Sequence, residues 1–145
     1  MVIIVDSSIL VSYLIMGQET IRARQLLKKC PDLAVTPSIL EETTYIGLSL
    51  IYNNKKGKDL KQEIIRGLSS NAKKFIGDFD RILALLDISI VESPKQLRSM
   101  TDIIEQNGLL PADAMISATC LTYKMDLATF DKDFHRVPNL TIIQN

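Results

Sequence analysis

Carboxylates are the only side chains in this sequence with the number and placement to build a reactive site. Asp6 follows the apolar run VIIV and precedes two serines; Glu41 and Glu42 follow PSIL; Asp113 stands two residues after Pro111; Asp131 and Asp133 flank Lys132 in TFDKDF. Competing chemistries lack their residues. His135 is the only histidine, which excludes a His-rich metal site and leaves a Ser-His-Asp triad a single imidazole to use. Cys30 and Cys120 are far apart and neither belongs to a Cys-x-x-Cys, so a closed zinc site has no ligands. Several carboxylates gathered in one place repel one another and take up protons unless a cation neutralises them. An all-oxygen set favours Mg²⁺ or Mn²⁺ over zinc or copper. Such an ion orients phosphate oxygens, activates water and stabilises a leaving oxygen, so the set implies phosphodiester hydrolysis. Each acid also has an ordinary role to weigh against this: a helix cap for Asp6, solvated surface for the glutamates, a dipole partner for Asp113, a polar turn at Asp131.

Helical geometry separates Glu41 from Glu42. Wound as a helix, Ile46 and Leu50 each fall within about 20° of Ile39, and the three define a buried stripe. Glu42 lies about 60° from Ile39, at the edge of that stripe, and Glu41 about 160° away, toward solvent. Glu42 is therefore the better site carboxylate.

Holding such acids together is the task of the surrounding elements. Short apolar runs at 2–5, 33–35, 88–91, 127–129 and 140–143 read as strands. Between them, residues 7–16, 19–29, 38–52, 80–86, 94–106 and 111–123 read as helices. Strands alternating with helices predict an α/β sandwich around a mostly parallel sheet. Sites in such folds collect outside the carboxyl ends of the strands, where Asp6 and Asp131 would stand. Ala112, Ala114, Ser117, Ala118 and Cys120 give the helix of Asp113 a surface of small residues for close packing. From about 53 to 77 the composition changes. Lys55, Lys56, Lys58, Lys61, Arg66, Lys73 and Lys74 are seven of the 17 basic residues, and the stretch reads as a basic helical excursion.

The chain has 145 residues, 38 of them isoleucine or leucine, enough for one domain with a core that needs no disulfide. Two isolated cysteines suit a reducing compartment. Seventeen acids balance 17 bases, which excludes a polybasic tail but leaves a local basic patch open. Residues 2–16 lack a preceding base, are interrupted by Asp6 and lead to no small-residue cleavage pattern, so they do not read as a signal peptide. No apolar stretch approaches the roughly 20 residues of a membrane span, and the expected setting is cytoplasmic.

Four segments together carry a resemblance: VIIVDSSIL, PSILEETTYIGL, LLPADAMISATC and LATFDKDFHRVPNL. In this order, over nearly the whole chain, they resemble PIN-domain ribonucleases, particularly the small prokaryotic VapC-like toxins. The resemblance implies a single PIN domain over 1–145, a three-layer sandwich, and an acidic quartet of Asp6, Glu42, Asp113 and Asp131, with Asp133 as the other position the fourth acid takes. It places Ser8 and Thr129 as hydroxyls beside the acids. It also implies Mg²⁺- or Mn²⁺-dependent cleavage of RNA leaving 5′-phosphate and 3′-hydroxyl ends, a cognate antitoxin, and a homodimer. Asp6 and Asp113 would hold the ion most directly, with Glu42 and Asp131 acting through its waters or a second ion. Lys132, Arg136 and Lys124 are candidate contacts to the RNA backbone; ordinary surface charge is their alternative. His135 reads as a structural or surface residue.

Other readings remain beside this one. A haloacid-dehalogenase-like phosphatase needs an Asp where Ser8 stands, and a receiver domain needs an acidic pair where only Asp6 is present. An RNA maturation or turnover nuclease without antitoxin, and a non-catalytic PIN-fold binding module, stay open. The basic excursion suits an acidic antitoxin, RNA, or solvent.

Overall fold

A computed structural model describes residues 1–94 and 97–144. Five parallel strands, β1 (Val2–Val5), β2 (Asp32–Val35), β3 (Ser89–Ile90), β4 (Asp126–Ala128) and β5 (Ile142–Ile143), form one sheet in the order β3-β2-β1-β4-β5. The central strands are apolar on both faces, and Ile4, Val5, Ala34, Val35, Leu127 and Ala128 have no exposure, as befits a parallel sheet covered on both sides. The two edge strands are shorter than the predicted 88–91 and 140–143, and β4 begins one residue early. Thr129 consequently stands just past β4.

Seven helices flank the sheet: α1 (Ser7–Leu14), α2 (Thr20–Lys29), α3 (Pro37–Ile51), α4 (Gly57–Ile65), α5 (Ser70–Leu85), α6 (Leu97–Asn107) and α7 (Pro111–Tyr123). The start of the helix predicted over 94–106 lies partly outside the described residues, at 95 and 96. Right-handed crossovers explain the layers. β1, β2 and β3 step in one direction across the sheet, so α1 to α5 share one face, and α1 indeed packs on α2, α3 and α5. The chain then steps back past β1 to β4, which sends α6 and α7 to the other face, where they pack on each other. The reversal falls between β1 and β4. A crevice opens at such a switch point beyond the strand ends.

Two expectations about helices require correction. The helix predicted at 80–86 is the second half of α5, which starts at Ser70 inside the presumed basic excursion. Ser69 caps it by accepting from the Ala72 amide, and Phe75 and Phe79, one turn apart, bury its inner face. The buried stripe of α3 is also not the one predicted, since Leu50 is 43% exposed while Thr43, Gly47 and Ser49 are buried. Gly47 is the reason. A Cβ there would lie 2.0 Å from Cζ of Phe75, so the glycine is the socket into which α5 docks. α4 has its own small cluster, Leu60 with Leu48 and Ala72. No helix among the described residues is long and apolar enough to cross a membrane.

Candidate active site

β1 and β4 end side by side, with Val5 registered on Ala128 and the Asp6 amide donating to the Ala128 carbonyl at 2.9 Å. That pairing delivers Asp6 to the crevice, where its side chain is only 3% exposed. Asp6 sits at the N-cap of α1 but does not cap it with its side chain. Its Oδ2 instead accepts from the Thr129 hydroxyl at 2.7 Å and the Ser8 hydroxyl at 2.8 Å. Each hydroxyl has one proton and spends it on Asp6. Ser8 Oγ and Thr129 Oγ1, 3.3 Å apart, are thus neighbours rather than partners. Their lone pairs accept from the amides of Phe130 (3.1 Å) and Asp131 (3.0 Å). One carboxylate and two hydroxyls therefore lace the exit of β1 to the exit of β4.

The other acids converge on this knot from three further elements. Glu42 projects from α3, half-buried as predicted, while Glu41 is exposed. Its Oε2 accepts from the Ser7 hydroxyl at 3.0 Å. Asp113 occupies the first turn of α7, behind Pro111. Asp131 caps the 3₁₀ turn Lys132–Arg136, its Oδ1 accepting from the Asp133 amide at 2.9 Å.

Electrostatics shows how closely they gather. Burial pushes Asp6 up from the ordinary aspartate range, against the pull of the Thr129 and Ser8 hydroxyls. Burial does the same to Glu42; Ser7 opposes it, and the charges of Asp6 and Asp131 add to it. Asp113 is pushed up to about 7, first by burial and then by Asp6, Glu42, Asp131 and Asp133. Every charge acting on Asp113 there is another carboxylate. Asp131 acts on both Glu42 and Asp113, whereas Asp133 is the weakest influence on Asp113 alone and pairs with Arg136 at 3.3 Å.

The basic residues divide. Lys132 is exposed beside Asp131. Arg136 is occupied structurally: besides Asp133 it donates to the Gly108 carbonyl at 3.3 Å, and its own carbonyl accepts from Asn107. Lys124 does not reach the site. It lines a depression with Met1, Asp126 and Asn139, at the amino ends of β1 and β4. His135 is exposed, against Gln144. Two participants were not anticipated from sequence. Ser7 was read only as turn chemistry, and Arg22, whose guanidinium lies 4.4 Å above the Phe130 ring, carried no sequence signal.

The donor set is oxygen throughout, carries excess negative charge and fits a hard divalent cation. Among the described residues no three His, Cys, Asp or Glu side chains stand as a ready-made cage, so the fit rests on chemistry and charge. An apolar groove of about 730 Å³ lies between α3 and α4 and is lined by Leu40, Tyr45, Leu48, Leu60, Ile64 and Ile65.

The fold is shared with known proteins. Ribonuclease VapC2 of Methanocaldococcus jannaschii is 29% identical over 146 residues, covering 96% of this chain and 91% of that protein. VapBC2 from Rickettsia felis, solved bound to a DNA fragment from its promoter, has the same fold with a TM-score of 0.66 at 20% identity, over 99% of this chain and 98% of that one. VapC20 of Mycobacterium tuberculosis, a sarcin–ricin loop cleaving toxin, gives a TM-score of 0.62 at 15% identity over 99% of both chains. A family model described as PIN domain matches residues 3–140. Because that match takes in all seven described helices and all five acids of the crevice, the chain belongs to the PIN domain family.

Proposed function

We propose that this protein is a divalent-metal-dependent endoribonuclease, the toxin of a toxin–antitoxin pair, with Asp6, Glu42, Asp113 and Asp131 as its catalytic acids. The observation that carries the reading is the convergence of carboxylates on the strand switch point, where Asp113, pushed up to about 7 first by burial, is raised further by Asp6, Glu42, Asp131 and Asp133. Such a cluster is stable at neutral pH only with a proton or a cation in it. Mg²⁺ or Mn²⁺ bound there supplies an activated water and a Lewis acid for the phosphate. Asp6, fixed by Ser8 and Thr129, and Asp113 would hold the ion most directly, with Glu42 and Asp131 acting through its waters or a second ion. Asp131 is preferred to Asp133 as fourth acid because it acts on two of the other three and is the less exposed, while Asp133 pairs with Arg136. Exposed Lys132 lies where it can meet an RNA phosphate, while Arg136 braces the turn. The acids would orient a water whose oxygen forms the new bond to phosphorus as the bond to the 3′-oxygen breaks, one water proton passing to a carboxylate and the 3′-oxygen leaving protonated as the hydroxyl.

The partner part of the reading is supported by structural neighbours described as a toxin and as a toxin–antitoxin complex and by the apolar groove between α3 and α4. Docking there suits an antitoxin segment or a second copy in a homodimer. The setting is the cytoplasm, where RNA and antitoxin are found together. The experiment is sequencing of RNA ends after incubation with wild type and with Asp113→Asn, each with Mn²⁺ and with chelator. New 5′-phosphate ends are expected for wild type with metal alone. Equal cleavage by both proteins removes this site, and RNA binding without cleavage makes the chain a binding module. Growth arrest on induction, relieved by a co-expressed neighbouring protein, tests the toxin assignment; its absence favours a maturation nuclease.

A further inference from the structure

We propose that Ser7 is a positioning residue that aims Glu42 into the acidic crevice, a role that rests on the metal-nuclease reading above. Ser7 opens α1 directly after Asp6 and is only 5% exposed. Its hydroxyl reaches across 35 residues of sequence to donate to Glu42 Oε2 at 3.0 Å. Its neighbour Ser8 is already spent on Asp6. The two serines thus divide the work: Ser8 holds the acid at the end of β1, and Ser7 holds the acid that arrives on α3.

Glu42 needs such a restraint. Its side chain has several rotatable bonds and projects from the edge of α3, so solvent is within reach. The carboxylates of Asp6, at the end of β1, and Asp131, in the turn after β4, are like charges acting on it. The Ser7 hydroxyl offers the Glu42 carboxylate a charge-assisted hydrogen bond that fixes one of its oxygens against the start of α1. Loss of such an outer partner costs a metal site roughly 10–100-fold in affinity or activity.

The test is Mn²⁺ titration by calorimetry, which needs no RNA, together with kcat/KM on RNA. The proteins are wild type, Ser7→Ala, Ser7→Thr, Glu42→Gln and the double variant Ser7→Ala/Glu42→Gln. Ser7→Ala is expected to weaken Mn²⁺ binding and kcat/KM about tenfold. Ser7→Thr, which keeps the hydroxyl, stays within about twofold of wild type on the same reasoning. In the Glu42→Gln background Ser7→Ala adds nothing further. Wild-type affinity in Ser7→Ala, or an equal loss with and without the Glu42 carboxylate, overturns the proposal. If Ser7→Ala does not fold, Ser7→Thr against Ser7→Val makes the same comparison at constant volume; a position where neither Ala nor Val folds is structural, which also overturns it. Failure of wild type itself to bind Mn²⁺ or cut RNA counts against the nuclease reading, a result distinct from wild-type behaviour in Ser7→Ala.

Discussion

At the residue scale, Asp113 links stability to metal and pH. In the folded, metal-free protein its carboxyl is held up at about 7, whereas an unfolded chain ionises it near ~3.9. Between those values the folded state keeps a proton that the unfolded state has released, so stability rises as pH falls from about 7 toward about 4. Thermal melts in chelator are expected to show a higher Tm at pH 5.5 than at pH 8. Mn²⁺ should raise Tm more at pH 8, where the acids are ionised and ready to bind it. Asp113→Asn removes the repulsion, so it should raise the metal-free Tm at pH 8 by roughly 2–6 °C and flatten the pH dependence, while abolishing cleavage. A lower Tm for that variant at pH 8 would contradict the account. Thr129→Val tests the other side of the site. It keeps the shape but leaves a buried carboxylate oxygen and the Asp131 amide each short of a partner. Urea unfolding should show a loss of about 1–3 kcal/mol. The settings of Asp6, Asp113 and Asp131 were legible because carboxylates after strands and in a helix's first turn have recognisable contexts, and that of Glu42 because helical winding set it apart from Glu41. Ser7 was not, because its partner lies on another helix and nothing in the local pattern names it.

At the element scale, the strands and most helices could be read from apolar runs and caps, and the errors share one physical cause. Hydropathy marks large side chains as buried and passes over small ones. It therefore chose Leu50 on α3, near the helix end where little covers it, over Gly47, which Phe75 of α5 fills. Reading 53–77 by charge likewise hid the Phe75–Phe79 stripe that joins both halves of α5 into one helix. Gly47→Ala exposes this packing. A Cβ at 2.0 Å from the Phe75 ring forces the aromatic out of its socket, at about 1–3 kcal/mol for overpacking. The better helix propensity of alanine returns about 1 kcal/mol. A net loss is expected in urea melts, largely recovered by adding Phe75→Leu; a stabilised Gly47→Ala would mean that α5 does not dock there. Lys124 illustrates a different limit. It is close to Asp131 in sequence, but the intervening β4 carries the chain roughly 10 Å through the sheet and leaves the two at opposite ends.

At the scale of the whole molecule, the balance of 17 acids and 17 bases conceals a separation of charge. Acids occupy the switch point, and a block of bases occupies the segment around α4. RNA is itself an anion, so an acidic crevice repels it until cations nearby offset the field. Arg136 is occupied, Lys124 is remote and Arg22 is held by Glu19 and the Phe130 ring, so Lys132 and the α4 region are expected to draw the substrate in. Within that region Lys55 and Arg66 pair with Glu63, and Lys74 with Asp78. Lys56, Lys58 and Lys61 are exposed and outside the ion pairs formed among the described residues, and Lys61 lines the groove between α3 and α4. Replacing these three lysines with glutamine should raise KM for RNA several-fold at low salt and leave kcat unchanged, since none touches the acids. For a single strand each lost phosphate contact lowers the salt slope by about 0.7, so the triple variant should flatten log(kcat/KM) against log[salt] by about 2. The same lysines would meet an acidic antitoxin segment laid in the groove, which would then compete with RNA for one field. If KM and slope stay at wild-type values while antitoxin binding weakens, the basic helix serves the partner alone and RNA enters from the side of Lys132.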